Sequence, residues 1–214
     1  MLFFMSTNNM SLKEIHRDGK YGFEDESGLE VIPCKYDFVG ELKDGCLIWV
    51  ILNDRIGLYD KSGQEISPCV YSGMDFLCDF REGLLAVRRG NRWGFIDMSG
   101  QEVIPCQYED AHAYSEGLAR VMRNKCFGFI DKTGREVIPC EYFEAGVFSE
   151  GLAWVEKEGK RGYIDKTGKV VIPFVFYKAY GFSGGKARVI TVDPEIVDTW
   201  SYSYIDKKGK LLDL

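Results

Sequence analysis

The chain has 214 residues with a net charge of −6, 45% hydrophobic and 28% charged, a globular composition that argues against binding a nucleic-acid backbone. No apolar run reaches the ~18 residues of a membrane span, and Met1–Met5 is too short for the hydrophobic core of a signal peptide. Its 24 glycines exceed the usual share of ~7%, so many positions are expected to need a positive φ.

After an N-terminal extension, residues 1–11, one pattern recurs six times over residues 12–214. Its core reads Tyr21-Gly22-Phe23, Ile56-Gly57-Leu58, Trp93-Gly94-Phe95, Phe127-Gly128-Phe129, Arg161-Gly162-Tyr163 and Tyr202-Ser203-Tyr204, at spacings of 35, 37, 34, 34 and 41. A glycine follows six residues later in every copy, at Gly28, Gly63, Gly100, Gly134, Gly168 and Gly209. Another precedes the core at Gly45, Gly83, Gly117 and Gly151, with Gly185 as its equivalent in the last copy. Pro33, Pro68, Pro105, Pro139 and Pro173 each fall 11 residues after the core glycine. Self-similarity at this period marks a tandem repeat array.

Within a copy, a short apolar run such as Leu118–Met122 meets a two-residue turn, here Asn124-Lys125, and then Phe127–Asp131. That pattern predicts a β-hairpin. An Asp-x-x-Gly segment follows in all six copies, beginning at Asp25, Asp60, Asp97, Asp131, Asp165 and Asp206. The aspartate suits a type I turn and the glycine a bulge, returning the chain into a third strand that proline is expected to end. A connecting loop with an anchoring aromatic (Tyr36, Tyr71, Tyr108, Tyr142, Phe176) leads to the next copy. The predicted fold is therefore all-β: six three-stranded antiparallel meanders whose cores are completed by stacking. The copies begin and end whole, and the units are shorter than ordinary propeller blades, so an open solenoid or superhelix is favoured over a six-bladed closed ring.

Trp93-Gly94-Phe95-Ile96-Asp97, Gly100, Val103-Ile104-Pro105 and Ser115-Glu116-Gly117-Leu118-Ala119 together resemble the bacterial WG-repeat (WG β-repeat, formerly KWG) family over nearly the whole chain. Only Trp93 keeps the signature tryptophan, and Ser203 replaces the glycine of the last copy. The resemblance implies a β-repeat array and brings no catalytic residues, so no enzyme activity and no cofactor are expected.

The residues themselves point the same way. His16 and His112 lie in different repeats, and a nucleophile needs a base within hydrogen-bond reach. Cys34, Cys69, Cys106 and Cys140 share one repeat position, Cys46, Cys78 and Cys126 do not, and no Cys-x-x-Cys pair exists. Seven cysteines without an export signal fit reduced core thiols in the cytoplasm. The turn aspartates offer one carboxylate each, where calcium wants six to eight oxygens.

Function is expected where copies differ. One first-strand position runs Ile48, Ala86, Arg120, Trp154 and Arg188, and arginine and tryptophan are the types enriched at binding hot spots. The last copy carries a long hairpin insertion, about residues 190–201, with Trp200, which serves either as a cap or as a binding arm. Arg120, Trp154, Arg188 and Trp200 are thus the candidate binding residues of a non-catalytic module for an unknown protein or peptide. A carbohydrate-binding array using exposed aromatics is the alternative.

Overall fold

The computed structural model describes residues 11–42, 45, 47–74, 80–192 and 200–212, without the side chains of Val192, Trp200 and Ser201. Most of the N-terminal extension, Cys46, Cys78 and the middle of the insertion, residues 193–199, lie outside the described residues.

Every described element is a strand, in six antiparallel sheets taken in chain order. The first sheet holds β1 (Lys13–Arg17), β2 (Lys20–Glu24) and β3 (Glu30–Tyr36). The second holds β4 (Phe38–Glu41), β5 (Leu47–Leu52), β6 (Arg55–Asp60) and β7 (Glu65–Tyr71). The third has β8 (Gly73–Met74), β9 (Leu84–Arg89), β10 (Arg92–Asp97) and β11 (Glu102–Tyr108). The fourth has β12 (Asp110–Ala111), β13 (Ala119–Arg123), β14 (Cys126–Ile130) and β15 (Glu136–Tyr142). The fifth has β16 (Glu144–Ala145), β17 (Leu152–Lys157), β18 (Lys160–Asp165) and β19 (Val170–Phe176). The sixth has β20 (Lys178–Ala179), β21 (Lys186–Val192), β22 (Trp200–Asp206) and β23 (Leu211–Leu212).

Two sequence expectations need correction. Five of the six units have four strands rather than three, because the connecting segment adds a short inner strand before each hairpin. Nor does proline end the third strand: Pro139 lies inside β15, which continues to Tyr142. The strand is the outer edge of its sheet, where a missing N–H forfeits no ladder bond, and the register shifts beside it, between Phe127 and Phe129. The supposed loop aromatics are therefore strand residues. Tyr36, Tyr71, Tyr108, Tyr142 and Phe176 pair with the residue before the core glycine in their own repeats.

That outer strand explains the core glycine. A Cβ at Gly128 would lie 2.6 Å from the Ile138 carbonyl oxygen, and one at Gly94 2.4 Å from that of Ile104. At Gly57 a Cβ would also meet the Cys69 Sγ at 2.9 Å, and the Cys106 and Cys140 thiols reach towards the carbonyls of Val87 and Val121, the residues paired with Gly94 and Gly128. In the sixth sheet the described part of β23 pairs with Tyr204 and Ile205 and has no residue opposite Ser203.

The Asp-x-x-Gly turns have the expected geometry. Gly134 N–H donates to the Asp131 carbonyl at 2.9 Å and Asp131 N–H to the Arg135 carbonyl at 2.9 Å, with Gly134 at φ 82°. The Asp131 carboxylate accepts from Thr133 N–H, Thr133 Oγ1–H and Arg135 N–H.

Apolar cores lie between sheets, not within them. Phe129, Ile138 and Tyr142 of the fourth sheet pack on Ala153, Val155 and Ile164 of the fifth, and equivalent residues fill each of the five successive gaps. A second lattice joins neighbours at their rims. Glu82, Glu116 and Glu150 accept from the N–H of Gly117, Gly151 and Gly185 one repeat on, and each also meets a lysine of that repeat, Lys132, Lys166 or Lys207. Ser115 and Ser149 hydroxyls donate to the Phe148 and Phe182 carbonyls at 2.7 Å.

Candidate functional site

Strand alternation gives each sheet a face towards the preceding repeat and one towards the following repeat. Arg120, Trp154 and Arg188 stand on the latter, one residue before the partner of the core glycine position. Their true equivalent in the second repeat is Trp49, paired with Leu58; Ile48 is fully buried on the opposite face. Counting from Gly45 slips by one because the turn there closes Leu42 to Leu47, a wider loop than Ser115 to Leu118. Counting back from Gly57 through the hairpin would have found Trp49.

Arg120 is committed inside the protein. Its side chain is 16% exposed, stacks on Phe127 at 4.8 Å, donates to the Ala145 carbonyl of the next sheet and lies 3.7 Å from Asp110. Burial pulls its pKa below the ordinary arginine value, against the pull of Asp110 and Glu144. Trp154 is half-buried, and its indole lies on Gly146, where a Cβ would sit 2.2 Å from Nε1. Arg161 covers its ring at 4.2 Å, donates to Glu156 at 3.0 Å and pairs with Glu144. These acidic partners were missed from sequence because each lies on a different strand from the residue it serves.

Arg188 differs. It is exposed, with its guanidinium 4.2 Å from the Tyr180 ring and 5.2 Å from the Tyr202 ring, on the outward face of the sixth sheet. Trp200 pairs through its backbone with Val192, but its side chain lies outside the described residues. Thus Arg120, Trp154 and Arg188 hold equivalent places on three successive sheets without forming one pocket.

Burial, with Glu136 beside it, pushes Cys140 up to about 11, and burial raises Cys69 and Cys106 too. His112 Nε2 lies 3.7 Å from Asp110. No cluster of three or more potential metal ligands occurs among the described residues.

Consecutive hairpin sheets with a core in each gap define the class, an all-β repeat protein. A family model described as "WG containing repeat" matches residues 21–55, 56–93, 93–125, 127–160 and 162–190, and the chain belongs to this family. No curated protein sequence matches the chain. Among solved structures it is similar to one titled "Crystal structure of the eukaryotic initiation factor", with 12% identity and TM-score 0.53, covering 94% of this chain and 62% of that one. It is also similar to Kluyveromyces lactis Hsv2, with 9% identity and TM-score 0.48, covering 93% and 72%. No helix among the described residues is long and apolar enough to cross a membrane.

Proposed function

We propose that the protein is a non-catalytic scaffold, an open array whose sheet faces bind a protein or peptide, working in the cytoplasm where its thiols stay reduced. The observation that carries the reading is the change of chemistry at the two end sheets. Ile48, Leu85, Ala119, Ala153 and Ala187 are buried at one stacking position, whereas the first sheet has Lys13 there, with its side chain 78% exposed. Tyr59, Ile96, Ile130, Ile164 and Ile205 are buried at another, and Glu24 replaces them, paired with Lys13 and Arg17. At the other end, Leu47, Leu84, Leu118 and Leu152 give way to Lys186. The rim lattice stops as well: Gly184 stands where Glu82, Glu116 and Glu150 hand a carboxylate to the next repeat. Polar terminal faces are how open repeat arrays stay soluble, while a closed ring would stack them on each other.

Raised cysteine pKa values support the non-catalytic part, since a nucleophilic thiol needs the opposite shift. Affinity capture with the full chain tests the reading. A partner recovered by the wild type should be lost with Tyr202→Ala or Trp154→Ala, at unchanged thermal stability for the exposed Tyr202 site. Recovery that neither substitution alters, or no recovery at all, contradicts it.

A further inference from the structure

The sixth sheet ends the array with a face unlike any other. Lys178 on β20 and Tyr180 just past it, Lys186 and Arg188 on β21, and Tyr202 and Tyr204 on β22 share one face by strand alternation and register. Lys178, Lys186 and Arg188 are exposed, and Tyr202 is 61% exposed. Several cations elsewhere pair with carboxylates, three of them while also lying over a ring: Lys13 with Glu24, Arg17 with Glu30, Arg89 with Glu102, Arg123 with Glu136 and Arg161 with Glu156. On this face the cations meet rings without a carboxylate, Arg188 beside Tyr180 and Tyr202, and Lys186 over Tyr204 at 5.2 Å. None of the three forms an ion pair among the described residues, since the Asp206 carboxylate opposite Lys186 is held by its own turn, in a chain whose net charge is −6.

We propose that this face docks an acidic peptide segment, one carboxylate of which is captured by Arg188. A guanidinium flanked by tyrosine rings and without an ion pair can offer its planar fork to a carboxylate through two parallel hydrogen bonds. Lys178 and Lys186, on either side along the strands, add charge for neighbouring acidic residues, and the tyrosines supply apolar contact at small conformational cost. A second copy docking by its first sheet fits poorly, because Glu24 and Glu30 there are already paired with Lys13 and Arg17.

This inference rests on the binding-module reading, and the experiment separates the two. The full chain is titrated by fluorescence anisotropy with three labelled peptides of equal length and shared aromatic content, one rich in glutamate, one neutral and one rich in lysine. The glutamate peptide should bind at least tenfold tighter than the other two, and more weakly as salt is raised. Arg188→Gln should weaken it about tenfold, and the Lys178→Ala/Lys186→Ala pair similarly, with unchanged circular dichroism and melting temperature. Arg17→Gln, on the first sheet, should have no effect. Preferential, Arg188-dependent binding of the neutral or basic peptide overturns the acidic specificity and leaves the module reading standing. Silence of all three peptides overturns the docking proposal, while affinity capture still tests the module reading independently. Binding of the acidic peptide that Arg188→Gln leaves unchanged overturns the assignment of the site.

Discussion

A single carboxylate oxygen of Asp131 accepts three hydrogen bonds, and the same arrangement recurs at Asp25, Asp97 and Asp165. The side-chain bond from Ser27, Ser99, Thr133 or Thr167 is the largest cause of the lowered pKa in each. A carboxyl group depressed on folding contributes stability above its unfolded pKa and loses it as pH falls through the folded value. Stability should therefore be level near neutrality and decline on the acid side, below the usual carboxylate range. The quadruple substitution of these aspartates by asparagine should flatten that decline, measured as melting temperature against pH; an unchanged acid limb would contradict the assignment. Cysteine gives a second residue-scale expectation. With Cys140 pushed up to about 11, its labelling by iodoacetamide near pH 8 should be much slower than that of a free thiol of ordinary pKa, and should rise with pH. Rapid labelling in the native state would show that the Cys140 thiol is not held buried beside Glu136 as described.

At the scale of one repeat, glycines that look alike in sequence have different reasons to be glycine. Gly28, Gly134 and Gly100 all have φ near +80°, but a Cβ at Gly28 meets nothing within 4 Å, at Gly134 it meets Ile104 Cγ1 at 3.3 Å, and at Gly100 it meets the Ile66 carbonyl oxygen at 2.2 Å. Gly28→Ala should therefore cost only the conformational term, roughly 1 kcal/mol, and Gly134→Ala slightly more. Gly100→Ala, which must displace backbone, should cost about 2–4 kcal/mol by urea denaturation. Equal losses at the three sites would refute this ordering. The turns, the hairpins and the repeat number were legible in the sequence because each depends on residues only a few positions apart. The inner strand was not: Asp110-Ala111 carries no strand signal and pairs only because the Glu116-Gly117 turn folds it against Met122 and Val121. The course of the chain past Pro139 was hidden for the opposite reason, since the usual meaning of proline in a strand changes at an edge. The candidate site was half legible. Position identified Arg120, Trp154 and Arg188 as variable, but whether each is committed internally depends on Asp110, Ala145, Glu144 and Glu156, whose proximity is set by pairing and stacking.

For the whole molecule, the central physical fact is that a sheet of this size has a core only where another sheet covers it. Interior sheets are covered twice, and alanine or branched residues at positions such as Ala119, Ala153, Ile130 and Ile164 let neighbours approach. On the first sheet Lys13 and Glu24 occupy those positions as an ion pair, the lysine exposed and the glutamate largely covered, which strongly disfavours burial against an apolar sheet. In the open-array reading, the charged ends would limit the array's growth. Replacing Lys13 by Ala and Glu24 by Ile, the residues that interior repeats use, should convert the first sheet into a stacking surface that lacks a partner. The double variant should then self-associate, eluting earlier on size exclusion in a concentration-dependent manner, while the wild type does not shift. Adding Lys186→Leu and Arg188→Ala at the opposite end should extend association from pairs towards head-to-tail assemblies, because a heterologous contact between two different faces does not close upon itself. In a closed ring the same four substitutions would improve a contact already made within one chain. The protein would then melt at a higher temperature and elute unchanged, which would reject the open array.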